Sequence, residues 1–343
     1  MKKHSLFSNV FILLAMLAAA CNKPLTMSKS TGMPYEIAVT MDKKVWEGEA
    51  GDAIRADLES EISGLPQSEP SFRIMYATAE NFNTLLTYVR NILVVKVDDK
   101  MYTMVNLLYE ADRWARDQAV VTLNAPDTQS VVDYLNSHKN ELTKFFTKIE
   151  MNRAAVTLEK DYTMSISDSL KKKLDVVMNI PPDMTYTRQK GKNFFWASNN
   201  AKSGRIDLIA YSFPYTDSNT FTGEYLIAKR DSVLKINLQG TFPDSYMATE
   251  TLAPVDYSVI TVRNKYCGVL RGLWKMVGDM MGGPFVSHIR LDEENNRIVV
   301  VEGFVYAPET DKRNYIRRIE AALHTLRLPG EFDQPVAEPL KIK

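Results

Sequence analysis

Short runs rich in β-branched and aromatic residues alternate with stripes of helical period through the first half of the chain. This interleaving restricts the fold more than any other feature. The runs are Tyr35–Met41, Phe72–Thr78, Asn91–Asp98 and Gln118–Pro126, each bounded by turn-forming residues and each of strand length. Between the first two, Trp46, Ala50, Ile54, Leu58 and Ile62 recur every fourth residue, which lines one face of a helix. Gly64 and Pro66 supply its stop. After Pro126, the residues Val131, Val132, Leu135, Leu142, Phe145, Phe146 and Ile149 form a longer apolar stripe.

Glu150–Lys173 is charged and has little strand character, so it marks the boundary between two halves. The second half runs through "LDVVMNIPPDMTY", "KNFFWASN" and "RIDLIAYSFPYT" into a helix near Phe221–Leu234. Strands dominate from Tyr257 to Tyr306, with Asp292–Asn296 as a polar hairpin turn. A last helix after Ala307-Pro308 buries Tyr315, Ile316, Ile319, Leu323 and Leu326. The expected fold is α+β, with a mainly antiparallel sheet and packed helices in each half. The halves span 34–160 and 161–330, and a polar tail covers 331–343. "LNAPDTQSVVDYL" and "VYAPETDKRNYI" echo one another. Reused helix-start chemistry explains the echo; duplicated halves are the sharper alternative.

The first residues give an address. Met1-Lys2-Lys3-His4 is positive, Phe11–Ala20 is apolar, and Ala18-Ala19-Ala20 precede Cys21. That is the layout of a secretory signal, and the run is too short for a spanning helix. "LAAAC" resembles the bacterial lipobox, with Ala18 where that pattern prefers Leu. The resemblance implies cleavage after residue 20 and a Cys21 carrying acyl chains such as palmitate, which together hold a membrane stably. Residues 21–33 read as a flexible tether. Asn22 stands where an inner-membrane retention signal has Asp, so the expected place is the outer membrane, facing the periplasm. Removing the signal takes away Lys2 and Lys3 and no acid, leaving about two more acids than bases in the mature chain. No basic stripe appears, which argues against nucleic-acid binding.

Motifs for chemistry are sparse. With Cys21 lipidated, Cys267 has no disulfide partner, and its apolar strand-like setting reads as a buried thiol. A Cys267–His288 nucleophile pair is the alternative. His138, His288 and His324 show no HxxxH or HxH spacing, so no metal site is expected. No GxGxxG or GxxxxGKS/T occurs, and no cofactor is expected. Acids are plentiful, but sequence alone cannot pair two carboxylates in space. The unusual stretch is "RGLWKMVGDMMGGPFVSHI", in which Gly282-Gly283-Pro284 suggests a sharp re-entry into a strand. Trp274, Asp279, Met280 and Met281 form its candidate binding surface; a hairpin tip folded onto the core is the plainer reading.

The lipobox, "EIAVTMDKKVWEGEAGDAIRADL", "RNILVV", "FPYTDSNTFTGEYLIAKRDSVLK" and the segment from "LRGLWKMVGDMMGGPF" to "RNYIRRIEAAL" together resemble a lipoprotein family of Bacteroidota, domain of unknown function 4837 (DUF4837). The resemblance implies an envelope lipoprotein and transfers no catalytic residue. Leu174–Leu234 also resembles PsbP/Mog1-like modules, which implies binding or assembly roles. The expected function is a non-enzymatic envelope module that binds a protein partner or a cell-wall glycan. The rivals are a hydrolase using unidentified acids and a structural assembly factor.

Overall fold

The computed structural model describes residues 27–188, 191 and 193–337, so the signal layout and Cys21 lie outside the described residues. The chain folds into two α+β halves, each a sheet with packed helices.

In the first half, β1 (Glu36–Thr40), β2 (Arg73–Ala77), β3 (Asn91–Val97), β4 (Asn106–Ala111) and β5 (Ala119–Ala125) lie in the order β2-β1-β3-β5-β4. The β1–β2, β1–β3 and β3–β5 pairs are parallel, and only β4–β5 is antiparallel. This sheet is therefore mixed where a mainly antiparallel one was expected. The connections explain it. Helix α1 (Glu49–Leu58) carries the chain from the end of β1 back to the start of β2, and such a crossover restarts the strand in the same direction. The helix is also shorter than its stripe, because Trp46 belongs to a separate turn at Lys43–Trp46 and Ile62 lies past the end.

Helices α2 (Thr128–Ser137) and α3 (Glu141–Lys160) follow β5. The Asp127 carboxylate caps α2 by accepting the Ser130 N–H at 2.7 Å. Ile54, Leu58, Leu135, Leu142 and Phe146 of the three helices pack on Val39, Leu93, Val121 and Leu123 of one sheet face. Segment 78–90 returns over the opposite face, where Phe82, Leu86 and Val89 cover Ala38, Ile92 and Val120. The expected tether is docked from Ser28 onward. Arg116 N–H donates to the Ser28 carbonyl (2.8 Å), Thr31 N–H to Tyr88 (2.7 Å) and Arg90 N–H to Thr31 (2.9 Å), all at the amino ends of β3 and β5.

The second half opens with α4 (Met164–Leu174) and builds a wholly antiparallel sheet. Its strands are β6 (Tyr186–Arg188), β7 (Phe194–Ser198), β8 (Arg205–Pro214), β9 (Tyr246–Thr249), β10 (Asp256–Val262), β11 (Lys265–Val277), β12 (Gly282–Asp292) and β13 (Arg297–Tyr306). They lie in the order β10-β11-β12-β13-β8-β7-β6, with β9 also on β11. Helices α4 and α6 (Arg313–Leu323) cover one face, and α5 (Gly223–Asn237) covers the other. The two sheets differ in strand direction and order, so the Ala-Pro echo is shared helix-start chemistry rather than a duplicated half.

The halves meet where α3 packs on α6. Glu69, buried in the first half, accepts the Lys312 and Arg313 N–H groups at 2.7 and 2.8 Å and so caps α6 of the second. The start of the expected polar tail is also fixed, because buried Glu331 accepts from Arg290 of β12 at 2.8 Å.

Candidate ligand groove

The β1 strand has neighbours reached over opposite faces, β2 through α1 and β3 through segment 78–90. In open parallel sheets the flanking segments diverge at such a point and leave a crevice beyond the carboxyl ends of the strands. A cavity of about 410 Å³ lies there, bounded by Met41, Asp42, Val45, Lys96, Asp98 and Tyr102. A broader groove of about 760 Å³ continues from it across β3, β5 and β4, sharing Lys96 and Tyr102.

Strand register shows how the groove is built. Ala38, Ile92, Val120 and Glu110 form one row across β1, β3, β5 and β4, mostly buried beneath segment 78–90. The next row is Thr40, Val94, Thr122 and Leu108, and the one after it Lys96, Asn124 and Asn106. The covered face thus turns from apolar to polar toward the carboxyl ends, beyond the cover that segment 78–90 provides. Thr40, Thr122 and Asn124 are no more than 5 % exposed, yet Thr40 Oγ1, Thr122 Oγ1 and Asn124 Oδ1 have no hydrogen-bond partner among the described residues. Burying an uncompensated hydroxyl or amide costs about 1–3 kcal/mol. Thr122 and Asn124 line the groove, so a ligand that pairs with them offsets that cost, whereas Thr40 lines neither cavity.

The charged residues here are mostly occupied. Asp42 and Asp98 accept the N–H of Lys44 and Lys100, closing their own turns at 2.8 and 2.9 Å. Arg113 pairs with Glu110 at 2.9 Å and lies 4.4 Å from the centre of the Trp114 ring. Tyr109 turns its hydroxyl to the other face and donates to Glu141; burial, then Glu141, pushes its phenol up to about 12. Lys96 is exposed, and among the described residues no Ser, Cys or His lines either cavity. The chemistry on offer is hydrogen-bond recognition of a polar, largely neutral ligand.

Of the residues singled out in the sequence, Trp274 is not on a surface. It is 1 % exposed, lies against Phe304 and Tyr306, and donates its indole N–H to the Val305 carbonyl. Alternation along β11 turns it inward with Leu270 and Met276. Met281 is half-buried, and Asp279 accepts the Met280 N–H at 2.6 Å, which leaves Met280 alone fully exposed at the tip. The turn itself lies before Gly282-Gly283-Pro284, at Gly278 with φ +77°, while Gly282 already pairs with Lys275 inside β12. Cys267 is fully buried; its thiol donates to the Gly268 carbonyl rather than to His288, and burial pushes it up to about 12. His138 is exposed and stacks on Tyr134. His288 and His324 do meet, with Glu320 one turn before His324; the spacing of Glu320 and His324 was in the sequence, but their closeness to His288 was not. The groove was missed as well. Its signal was Thr122 and Asn124, two apart on one face of the otherwise apolar run "AVVTLNA".

Residues 163–325 match the family model of a domain of unknown function (DUF4837), and residues 30–159 match a second, also a domain of unknown function (DUF8532). The first match is narrower than the resemblance suggested. No curated protein matches. Among solved structures, the Saccharomyces cerevisiae Ran-binding protein Mog1p is 9 % identical over 48 % of this chain and 93 % of its own, with a TM-score of 0.30. The lipid transfer and protein localization domain of human StarD13 (DLC2) is 9 % identical over 40 % of this chain and 82 % of its own, at 0.22. A Bacteroides thetaiotaomicron protein is 13 % identical over 46 % of each chain, at 0.19. At these scores none of the likenesses supports an inference.

Proposed function

We propose that the protein is a lipid-anchored binding module of the outer membrane, facing the periplasm, and that its groove holds a cell-wall glycan. The observation that carries the reading is the pair of buried, partnerless groups in the groove, Thr122 Oγ1 and Asn124 Oδ1. Neutral hydroxyl and amide groups are what a sugar chain matches, and Tyr102, shared by both cavities, adds an aromatic ring to their lining. The address rests on the signal layout and Cys21. A protein partner is the second reading, favoured by Met101 and Leu108, which line the two cavities and are exposed by 70 and 47 %.

The test is Thr122→Val with Asn124→Leu, assayed for retention on purified cell-wall sacculi and for melting temperature. Removing buried unpaired polar groups leaves stability unchanged or raises it. The expected outcome is a variant at least as stable as the parent that no longer sediments with sacculi. A variant that sediments as before overturns the glycan reading, as does a parent that never sediments.

A further inference from the structure

We infer that His288, Glu320 and His324 form a binding site for a divalent transition metal, with zinc the best match to the donor set. His288 projects from the middle of β12. Glu320 and His324 stand one turn apart at the end of α6, so both face the sheet on which that helix packs. One ligand atom from each of the three lies within 4.8 Å of the others. The two imidazole rings meet edge to face, with centroids 4.7 Å apart.

An independent observation points to a missing ligand. His288 is 1 % exposed, and its Nε2 has no hydrogen-bond partner among the described residues. Whichever tautomer the ring adopts, that nitrogen is a buried polar atom left unpaired. Glu320 Oε2 is likewise buried without a hydrogen bond, while Arg271 holds Oε1 and so fixes the carboxylate. A partner on one carboxylate oxygen that orients the other is the usual outer-shell arrangement at a metal. Two imidazoles and one carboxylate suit zinc, and the half-buried position of His324 leaves a fourth position within reach of water.

Arg271 and Arg317 both pair with Glu320 and oppose a dication. Arg317 Nη1 stands 3.5 Å from Glu320 Oε2, a loose contact on the oxygen that a metal would take. Arg317 is therefore the competitor at this site. The metal binds less tightly than in a closed structural zinc site, and removing Arg317 strengthens it.

The experiment is cobalt(II) titration of the purified full chain, read by its visible ligand-field absorption, with zinc added as competitor. One cobalt per chain is expected, displaced by zinc. His324→Gln is expected to weaken binding at least tenfold, since loss of even an outer-shell partner costs about 10–100-fold at such centres. Arg317→Gln is expected to tighten it severalfold, a gain that a purely structural ion pair would not give. Circular dichroism establishes that both variants are folded before they are titrated. Absence of a saturable cobalt spectrum overturns the inference, and so does a spectrum that His324→Gln leaves at full affinity.

Discussion

Trp274 and Met280 share one hairpin and answer to opposite physics, the first fully enclosed and the second fully exposed. Trp274→Ala leaves a void among Phe304, Tyr306 and their neighbours and is expected to cost about 3–5 kcal/mol. Met280→Ala removes a side chain that touches only water, so its effect is expected within about 0.5 kcal/mol. Denaturant unfolding of the two variants measures both. Composition could not separate them, because the glycines around them look alike. Gly278 supplies the left-handed backbone of the turn. Gly283 is needed for space instead, since a Cβ there would lie 2.1 Å from the Val305 carbonyl oxygen. One residue type thus serves two physical ends, and only the fold tells which.

At the scale of elements, the strand runs and the last helix were legible because period and turn residues agree with the final packing. Strand direction was less so, though a hint was present. All seven residues of β5 are buried, and its apolar run is broken only by Thr122 and Asn124, close to the near-continuous pattern of strands in parallel pairs. The edge strand β4 was missed because "NLLYEA" alternates weakly and takes its character from β5. The tail was misread because polarity does not reveal a buried partner. Desolvation pushes the Glu331 carboxyl up, but Arg290 and the Leu328 N–H outweigh it and hold it below its ordinary 4.5. Its stabilisation is complete above that pH and is lost as pH falls through the lower folded-state value. Between pH 5 and 3, the melting temperature of the parent is therefore expected to fall more steeply than that of Glu331→Gln. At neutral pH the variant is expected to be less stable by about 3–5 kcal/mol, because Arg290 is left buried without its partner.

For the molecule as a whole, Glu69 capping α6 and the packing of α3 on α6 make the two sheets one body, which a reading of separate halves could not foresee. Cys21→Ser is expected to abolish labelling by a palmitate analogue and to move the protein from the membrane pellet to the soluble fraction; continued labelling refutes the anchor. The docking of Ser28 and Thr31 has a geometric consequence for that anchor. Under the proposed anchor, only residues 22–27 would separate the lipid from the docked Ser28, a reach of about 20 Å at full extension. It is fastened at the amino ends of β3 and β5, whereas the groove opens past the carboxyl ends of β1 and β3. With Cys21 as the proposed anchor, a body held so closely by one pole would turn the other outward, and the groove would look away from the bilayer.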